Sequence, residues 1–234
     1  ELSNLGYSDA EVQGGGLKVI TTLDKNMQDA AVATAQKYTE EAATKAKPKQ
    51  DASQLHVAIS SVDTATGGVL AMYGGPDYTT NSRNWSTTPR PAASTFKSFA
   101  TVAGLRNGYS LDSTLKGDTF TPRGEGVPVR NEFSEQYGDV TLRKAVAESI
   151  NTAFVDMTES MNNGPAAVIK AANDAGAPTG AGWDANNRIA LGAAEVSPLN
   201  MANAYASLAD SGKRKETHFV AKVLDRNGNT VYEA

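Results

Sequence analysis

A chain of 234 residues with 40% hydrophobic side chains is long enough to bury a core of its own. Its formal net charge of −4 provides no basic footprint for a phosphate backbone, so nucleic acid is not an expected partner. The absence of cysteine excludes disulfides, thiolate nucleophiles and zinc–thiolate sites together.

In chain order, Gly14-Gly-Gly16 reads as a flexible joint and Leu17 to Leu23 as a β-branched strand. Asp24 then reads as the N-cap of a helix whose apolar positions are Met27, Ala30, Ala31, Ala35 and Tyr38. The polar stretch from Ala43 to Ser53 reads as an exposed loop. Leu55–Val62 and Gly68–Tyr73 form a predicted antiparallel hairpin across Asp63-Thr-Ala-Thr-Gly67. A polar segment through Asn84-Trp85 leads to a helix from about Ser94, with Phe96, Phe99, Val102, Ala103 and Leu105 on its apolar face. Asn107 to Asp139 reads as loops and short strands around a site. Helices are predicted over Thr141–Ser160, Ala166–Ala175 and Pro198–Leu208, and a terminal hairpin over Phe219–Tyr232. No apolar run approaches the ~20 residues that cross a bilayer, and the opening Glu-Leu-Ser-Asn is unlike a leader, so any signal or anchor is expected outside these residues.

The two histidines, His56 and His218, lie in strand-like runs and read as structural. With no Gly-x-Ser-x-Gly, a serine enzyme built on this chain needs a base other than histidine. Lysine can serve if its surroundings keep it neutral. Ser94-Thr-Phe-Lys97 places hydroxyl and amine on one helix face, at a helix start where free N–H groups favour negative charge. Ser113-Thr-Leu-Lys116 has the same spacing, but Lys116-Gly117-Asp118 would end a helix after one turn, so Ser113 reads as structural. A second hydroxyl for proton relay and an amide to hold substrate would come from a Ser-x-Asn. Ser82-Arg-Asn84 lies in the polar segment and Ser160-Met-Asn162 at a helix end, which leaves Ser149-Ile-Asn151 as the best candidate.

These residues resemble the transpeptidase domain of penicillin-binding proteins of the bifunctional, class A type. Arg90-Pro-Ala-Ala-Ser-Thr-Phe-Lys-Ser-Phe99 is similar to the segment around that family's nucleophile, and Glu148-Ser-Ile-Asn-Thr-Ala-Phe-Val-Asp156 to its Ser-x-Asn helix. Ile20-Thr-Thr-Leu-Asp24 with Gln28, Gly74-Gly-Pro-Asp-Tyr78, and Ala190-Leu-Gly192 running to Pro198-Leu-Asn-Met-Ala202 carry the likeness along most of the chain. Ala93 stands where the family usually has Gly, and Ser98 where it has Pro.

The resemblance implies a mixed α/β fold, similar to serine β-lactamases, with a central antiparallel sheet flanked by helices. It implies a pedestal strand, linker and first helix in 1–54 and the transpeptidase domain in 55–234. The implied reaction is D,D-transpeptidation. Ser94 is acylated by peptidoglycan stem peptides or β-lactam antibiotics, Lys97 and Ser149 move its proton, Asn151 holds substrate, and no metal or cofactor takes part. The implied location is the extracytoplasmic side of a bacterial membrane. No Lys-Thr-Gly or Lys-Ser-Gly occurs in the sequence, so a further C-terminal segment carrying that strand is expected to complete the site, and residues 1–234 alone are expected to be inactive. The alternatives are a D,D-carboxypeptidase, a β-lactamase-like hydrolase, or a non-catalytic cell-wall-binding domain. Glu195-Val-Ser-Pro-Leu-Asn200 is one residue too long for the deacylating Glu-x-x-Leu-Asn segment of class A β-lactamases, so Glu195 is expected to be solvated or capping. Trp85, Glu132 and Tyr137 are secondary candidates for lining a cleft.

Overall fold

The computed structural model describes residues 1–234, which fall into two compact units, Glu1–Thr88 with Ser197–Ala234, and Pro89–Val196.

In the first unit, α1 (Asp9–Gly14) starts at a reciprocal cap between Ser8 and Glu11. β1 (Lys18–Thr21) leads to α2 (Lys25–Lys45), whose N-cap Asp24 accepts a hydrogen bond from the Met27 N–H at 2.8 Å. β2 (Ile59–Val62) and β3 (Val69–Tyr73) pair antiparallel, and the turn between them is held by Asp63, which accepts from the Ala65 and Thr66 N–H groups. Alternation along β3 turns Val69, Ala71 and Tyr73 inward, where Ala71 and Tyr73 pack with Ala31 and Ala35 of α2. Gln28 docks the helix onto the strand by mimicking one, since its amide both accepts from Met72 N–H at 2.9 Å and donates to Met72 C=O at 3.0 Å. Later in the chain, α7 (Pro198–Ala209) is capped by Ser197, and β8 (Val220–Leu224) and β9 (Thr230–Glu233) form the terminal hairpin. β1 pairs with β8 to complete a three-stranded antiparallel sheet ordered β1-β8-β9, and a bridge between Gly68 and His218 joins the β2–β3 hairpin to it.

In the second unit, β4 (Arg90–Pro91) pairs with β7 (Glu195–Val196) just ahead of a 3₁₀ turn over Ala93–Phe96 that runs directly into α3 (Lys97–Arg106). β5 (Thr114–Lys116) pairs with β6 (Asp139–Thr141), which feeds α4 (Leu142–Ala147), α5 (Asn151–Ser160) and α6 (Gly164–Ala175). α5 is buried from Thr152 through Thr158, and its polar side chains there are paired: Thr152 with Asn131, Asp156 with Lys116 and Thr158 with the Phe154 carbonyl. α3 approaches it at Gly104, where a Cβ would lie 2.6 Å from Met157 Sδ. Phe96 and Phe99 are fully buried and meet edge to face at 5.3 Å, and Phe96 meets Trp183 in the same way at 5.2 Å. These contacts fix the helix that carries Lys97.

The architecture is mixed α/β with every strand ladder antiparallel, as expected. Four local readings are corrected. The helix expected over Thr141–Ser160 is two helices, because Ser149 takes a left-handed conformation (φ 56°) that no helix accommodates. α2 continues to Lys45 and buries Ala43 inside the stretch read as an exposed loop, since its alanines sustain the helix beyond the apolar pattern. Gly14 ends α1, so the expected joint is partly helical. Glu195 does not cap α7, whose cap is Ser197; it lies half-buried in β7 opposite Pro91. No helix is long and apolar enough to cross a membrane.

Candidate active site

Ser94 lies in the first turn of the helical segment that becomes α3, exposed, and Lys97 lies one turn on, only 5% exposed. Four oxygens surround the Lys97 Nζ: Ser94 Oγ at 3.0 Å, Ser149 Oγ at 2.9 Å, Ser149 C=O at 2.7 Å and Asn151 Oδ1 at 2.6 Å. All four sequence-predicted residues are thus brought to one point. The face of Phe154 lies beneath, 5.7 Å from Nζ.

Two of the four oxygens can only accept. The Ser149 carbonyl has no proton, and the Asn151 amide is oriented by its other end, because its Nδ2 donates to the Arg130 carbonyl at 3.2 Å. A neutral lysine amine has two N–H bonds, and these two acceptors take both. Its lone pair is then left to face the hydroxyls of Ser94 and Ser149. Burial pushes the Lys97 pKa down to about 8, against a smaller upward pull from the Glu132 carboxylate. The amine is therefore substantially neutral just above physiological pH.

Backbone strain shapes the site. Ser149 projects both its carbonyl and its hydroxyl toward Nζ by adopting φ 56°, and the fully buried Ile150 beside it anchors the break between α4 and α5. Ala93, next to Ser94, also has positive φ (49°), which explains why glycine suits this position. Its N–H donates to the Gly192 carbonyl at 2.9 Å. We expect Ala93→Gly to raise unfolding stability by up to about 1 kcal/mol, by relieving left-handed strain at some cost in chain entropy. Urea denaturation of the two proteins checks this; a loss of stability would contradict it.

The competing motifs stay apart from this cluster. Ser113 sits in a turn, where its hydroxyl accepts from the Ser110 N–H, and Lys116 lies on β5 paired with Asp156 at 2.9 Å. Asn84 caps the turn at Ser86, and Ser160 ends α5. His56 stacks on Trp85 at 4.2 Å outside any strand, with the Arg83 guanidinium also over the indole, so Trp85 serves packing. The Tyr137 hydroxyl donates to Glu135. Sequence reading missed Asn131, Arg130, Phe154 and Gly192 as supports of the site. Their roles arise from contacts 20 or more residues away or across strands, which local spacing does not encode.

The fold and the cluster define a mixed α/β scaffold with a serine and a buried lysine on one helix. The pattern of the family described as Penicillin binding protein transpeptidase domain matches residues 57–233, and the chain belongs to that family. It is 34% identical over 231 residues to penicillin-binding protein 1A of Mycolicibacterium smegmatis, covering 94% of this chain and 28% of that protein. It is 32% identical to penicillin-binding protein 1A of Mycobacterium tuberculosis, covering 100% of this chain and 28% of that protein. The chain thus spans little more than a quarter of the length of these relatives. Among solved structures, the penicillin-binding protein PonA1 from Mycobacterium tuberculosis superposes with a TM-score of 0.84 at 29% identity, covering 99% of this chain and 60% of that one. The same protein in complex with penicillin V superposes with a TM-score of 0.83.

Proposed function

We propose that this chain is the nucleophile-bearing part of a peptidoglycan D,D-transpeptidase that is also acylated by β-lactams. The observation that carries the reading is the position of the Lys97 amine, within 3.0 Å of Ser94 Oγ while two obligate acceptors take its N–H bonds. Ser94 Oγ attacks the carbonyl between the two terminal D-alanines of a stem peptide as its proton passes to Lys97. The tetrahedral intermediate expels D-alanine, whose amine takes a proton relayed through the Ser149 hydroxyl. The resulting ester is attacked by an acceptor amine, which restores the Ser94 hydroxyl and leaves a cross-link. Asn151 holds Lys97 through Oδ1 and stands ready to contact the substrate backbone. A β-lactam follows the first step alone.

The family match beginning at residue 57 supports a boundary near 54 between a pedestal part and the transpeptidase part. The penicillin V complex of PonA1 supports β-lactams as ligands. Peptidoglycan chemistry would put the protein on the extracytoplasmic side of a bacterial membrane. Because the sequence holds no Lys-Thr-Gly or Lys-Ser-Gly, we also propose that these 234 residues acylate only together with a strand bearing that motif. One oxyanion donor alone is worth about 10²–10³ in rate.

Intact-mass analysis of the protein carrying this chain, after incubation with penicillin and followed by peptide mapping, tests the reading. One lasting adduct on Ser94 is expected. No adduct, or an adduct on Ser113, would overturn the assignment, and rapid turnover of the antibiotic would make the protein a hydrolase. The pH dependence is also predicted. Only the neutral amine can take the Ser94 proton, so acylation should rise with pH to a midpoint near 8, the Lys97 value. Stopped-flow acylation between pH 6 and 9.5 reads this directly, and a flat profile would rule out Lys97 as the base.

A further inference from the structure

Asn131 lies outside the serine–lysine cluster, yet it is 7% exposed and uses every hydrogen-bonding position of its amide. Its Oδ1 accepts from the Thr152 N–H at 3.1 Å and from the Thr152 hydroxyl at 3.1 Å. Its Nδ2 donates to the Gly117 carbonyl at 2.6 Å, just past β5, and to the Glu135 carbonyl at 3.0 Å. One buried side chain thus joins the first turn of α5, the end of β5 and the far side of its own loop.

Asn131 is flanked by two residues that act on the site. Arg130, before it, supplies the carbonyl that orients the Asn151 amide. Glu132, after it, bears the carboxylate whose charge reaches Lys97. The loop continues through Phe133 and Ser134, both at positive φ (51° and 59°), with Phe133 91% exposed. Consecutive left-handed non-glycine residues are strained and persist only where surrounding contacts over-determine them. Asn131 supplies those contacts on both sides of the strained pair, at Thr152 and at Glu135.

Resting on the function proposed above, we propose that Asn131 is a positioning residue for acylation. It ties the Arg130–Glu135 loop to the start of α5, so that the Arg130 carbonyl keeps the Asn151 amide turned with Oδ1 toward Lys97. Without it, the Asn151 amide is free to rotate, and the second N–H acceptor of Lys97 is no longer guaranteed. The lone pair of the amine would then not be held toward Ser94. A buried asparagine with four partners has no close substitute: alanine removes all four bonds, and aspartate keeps the two it accepts but cannot donate to Gly117 and Glu135 when ionised.

The test uses the complete protein carrying this chain, with Asn131→Ala and Asn131→Asp. Three readouts are taken: acylation by a fluorescent penicillin across pH, thermal unfolding, and hydrogen exchange of the segment 148–154 followed by mass spectrometry. Asn131→Ala is expected to acylate at least tenfold more slowly under conditions where it is fully folded, and to exchange faster at 148–154 than wild type while α6 is unchanged. Asn131→Asp adds a carboxylate beside the site, which favours the Lys97 ammonium, so its acylation midpoint should move to higher pH. A role in stability alone would lower the unfolding temperature and leave the acylation rate and midpoint of the folded protein at wild-type values; that result would overturn the proposal. If wild type itself forms no adduct, the functional reading fails. The exchange arm still decides the clamp, because unchanged exchange at 148–154 in Asn131→Ala refutes it whatever the chemistry.

Discussion

Replacing Lys97 by methionine is expected to slow acylation of Ser94 by about 10²–10⁴, the range that removal of a positioned general base commonly costs. Methionine keeps the unbranched stem and fills most of the same space over Phe154, so the helix that follows Ser94 should remain in place. What is lost is the lone pair aimed at Ser94. Lys97→Arg makes the complementary test, because a guanidinium stays charged at any pH a protein tolerates and cannot accept the proton. Both variants should be equally poor, although one retains the positive charge. If Lys97→Arg acylates at near the wild-type rate, the residue acts as a fixed charge rather than a base.

The same substitution makes a prediction about stability. In the fold Lys97 titrates near 8, below the ordinary lysine value of 10.5 from which burial lowers it. Between those two pH values the unfolded chain binds the proton that the folded chain has released, so stability should rise with pH across this window. The burial penalty is fully present below it. Lys97→Met should lack that rise, and should be more stable than wild type at neutral pH, as unfolding temperatures measured from pH 7 to 10.5 would reveal. Parallel curves for the two proteins would show that the lysine is not strained by burial. A lysine that weakens the fold it sits in is more readily explained by chemistry than by structure.

Gly192→Ala is the second large expected effect. Gly192 has φ +79°, and a Cβ built there would lie 2.0 Å from the Ala93 carbonyl oxygen and 2.6 Å from the Ala93 nitrogen. Both are backbone atoms beside Ser94 and cannot swing aside as the end of a flexible side chain can. The methyl group meets left-handed strain and overpacking together, and a loss of about 3 kcal/mol or more in unfolding free energy is expected. The clash is relieved only if the turn at residue 192 and the backbone at Ala93, which are hydrogen-bonded to each other, move apart, so the folded fraction should also acylate more slowly. Urea denaturation together with acylation kinetics on the folded protein checks both parts. A change under about 0.5 kcal/mol, the usual range for a neutral surface substitution, would contradict the geometry.

The meeting of Ser94 and Lys97 was legible in the sequence because helical spacing is local. Ser94 and Lys97 share a face whenever that segment is helical, and the apolar run behind them makes it so. Ser113 and Lys116 have the same spacing but meet Gly117, and the structure has them on a turn and a strand. The β2–β3 hairpin, the cap at Asp24, the helix start at Pro198 and the terminal hairpin followed from periodicity and turn residues. What local pattern could not give was the break at Ser149. A periodic sequence from Thr141 to Ser160 reads as one helix, and the left-handed serine that interrupts it is stabilised by what it meets in three dimensions, not by its neighbours.

By itself, then, the sequence determined most of the elements, the candidate nucleophile and its amine, and the family resemblance, all of which rest on local runs of residues. Tertiary structure alone decided the state of that amine. The fall in the Lys97 pKa comes from burial, and the direction of its lone pair comes from Ser149 and Asn151, more than 50 residues along the chain. Asn151 is in turn oriented by Arg130, on the loop that Asn131 ties down. Desolvation and hydrogen-bond direction depend on which groups the fold brings together, and no local pattern of residues carries that information.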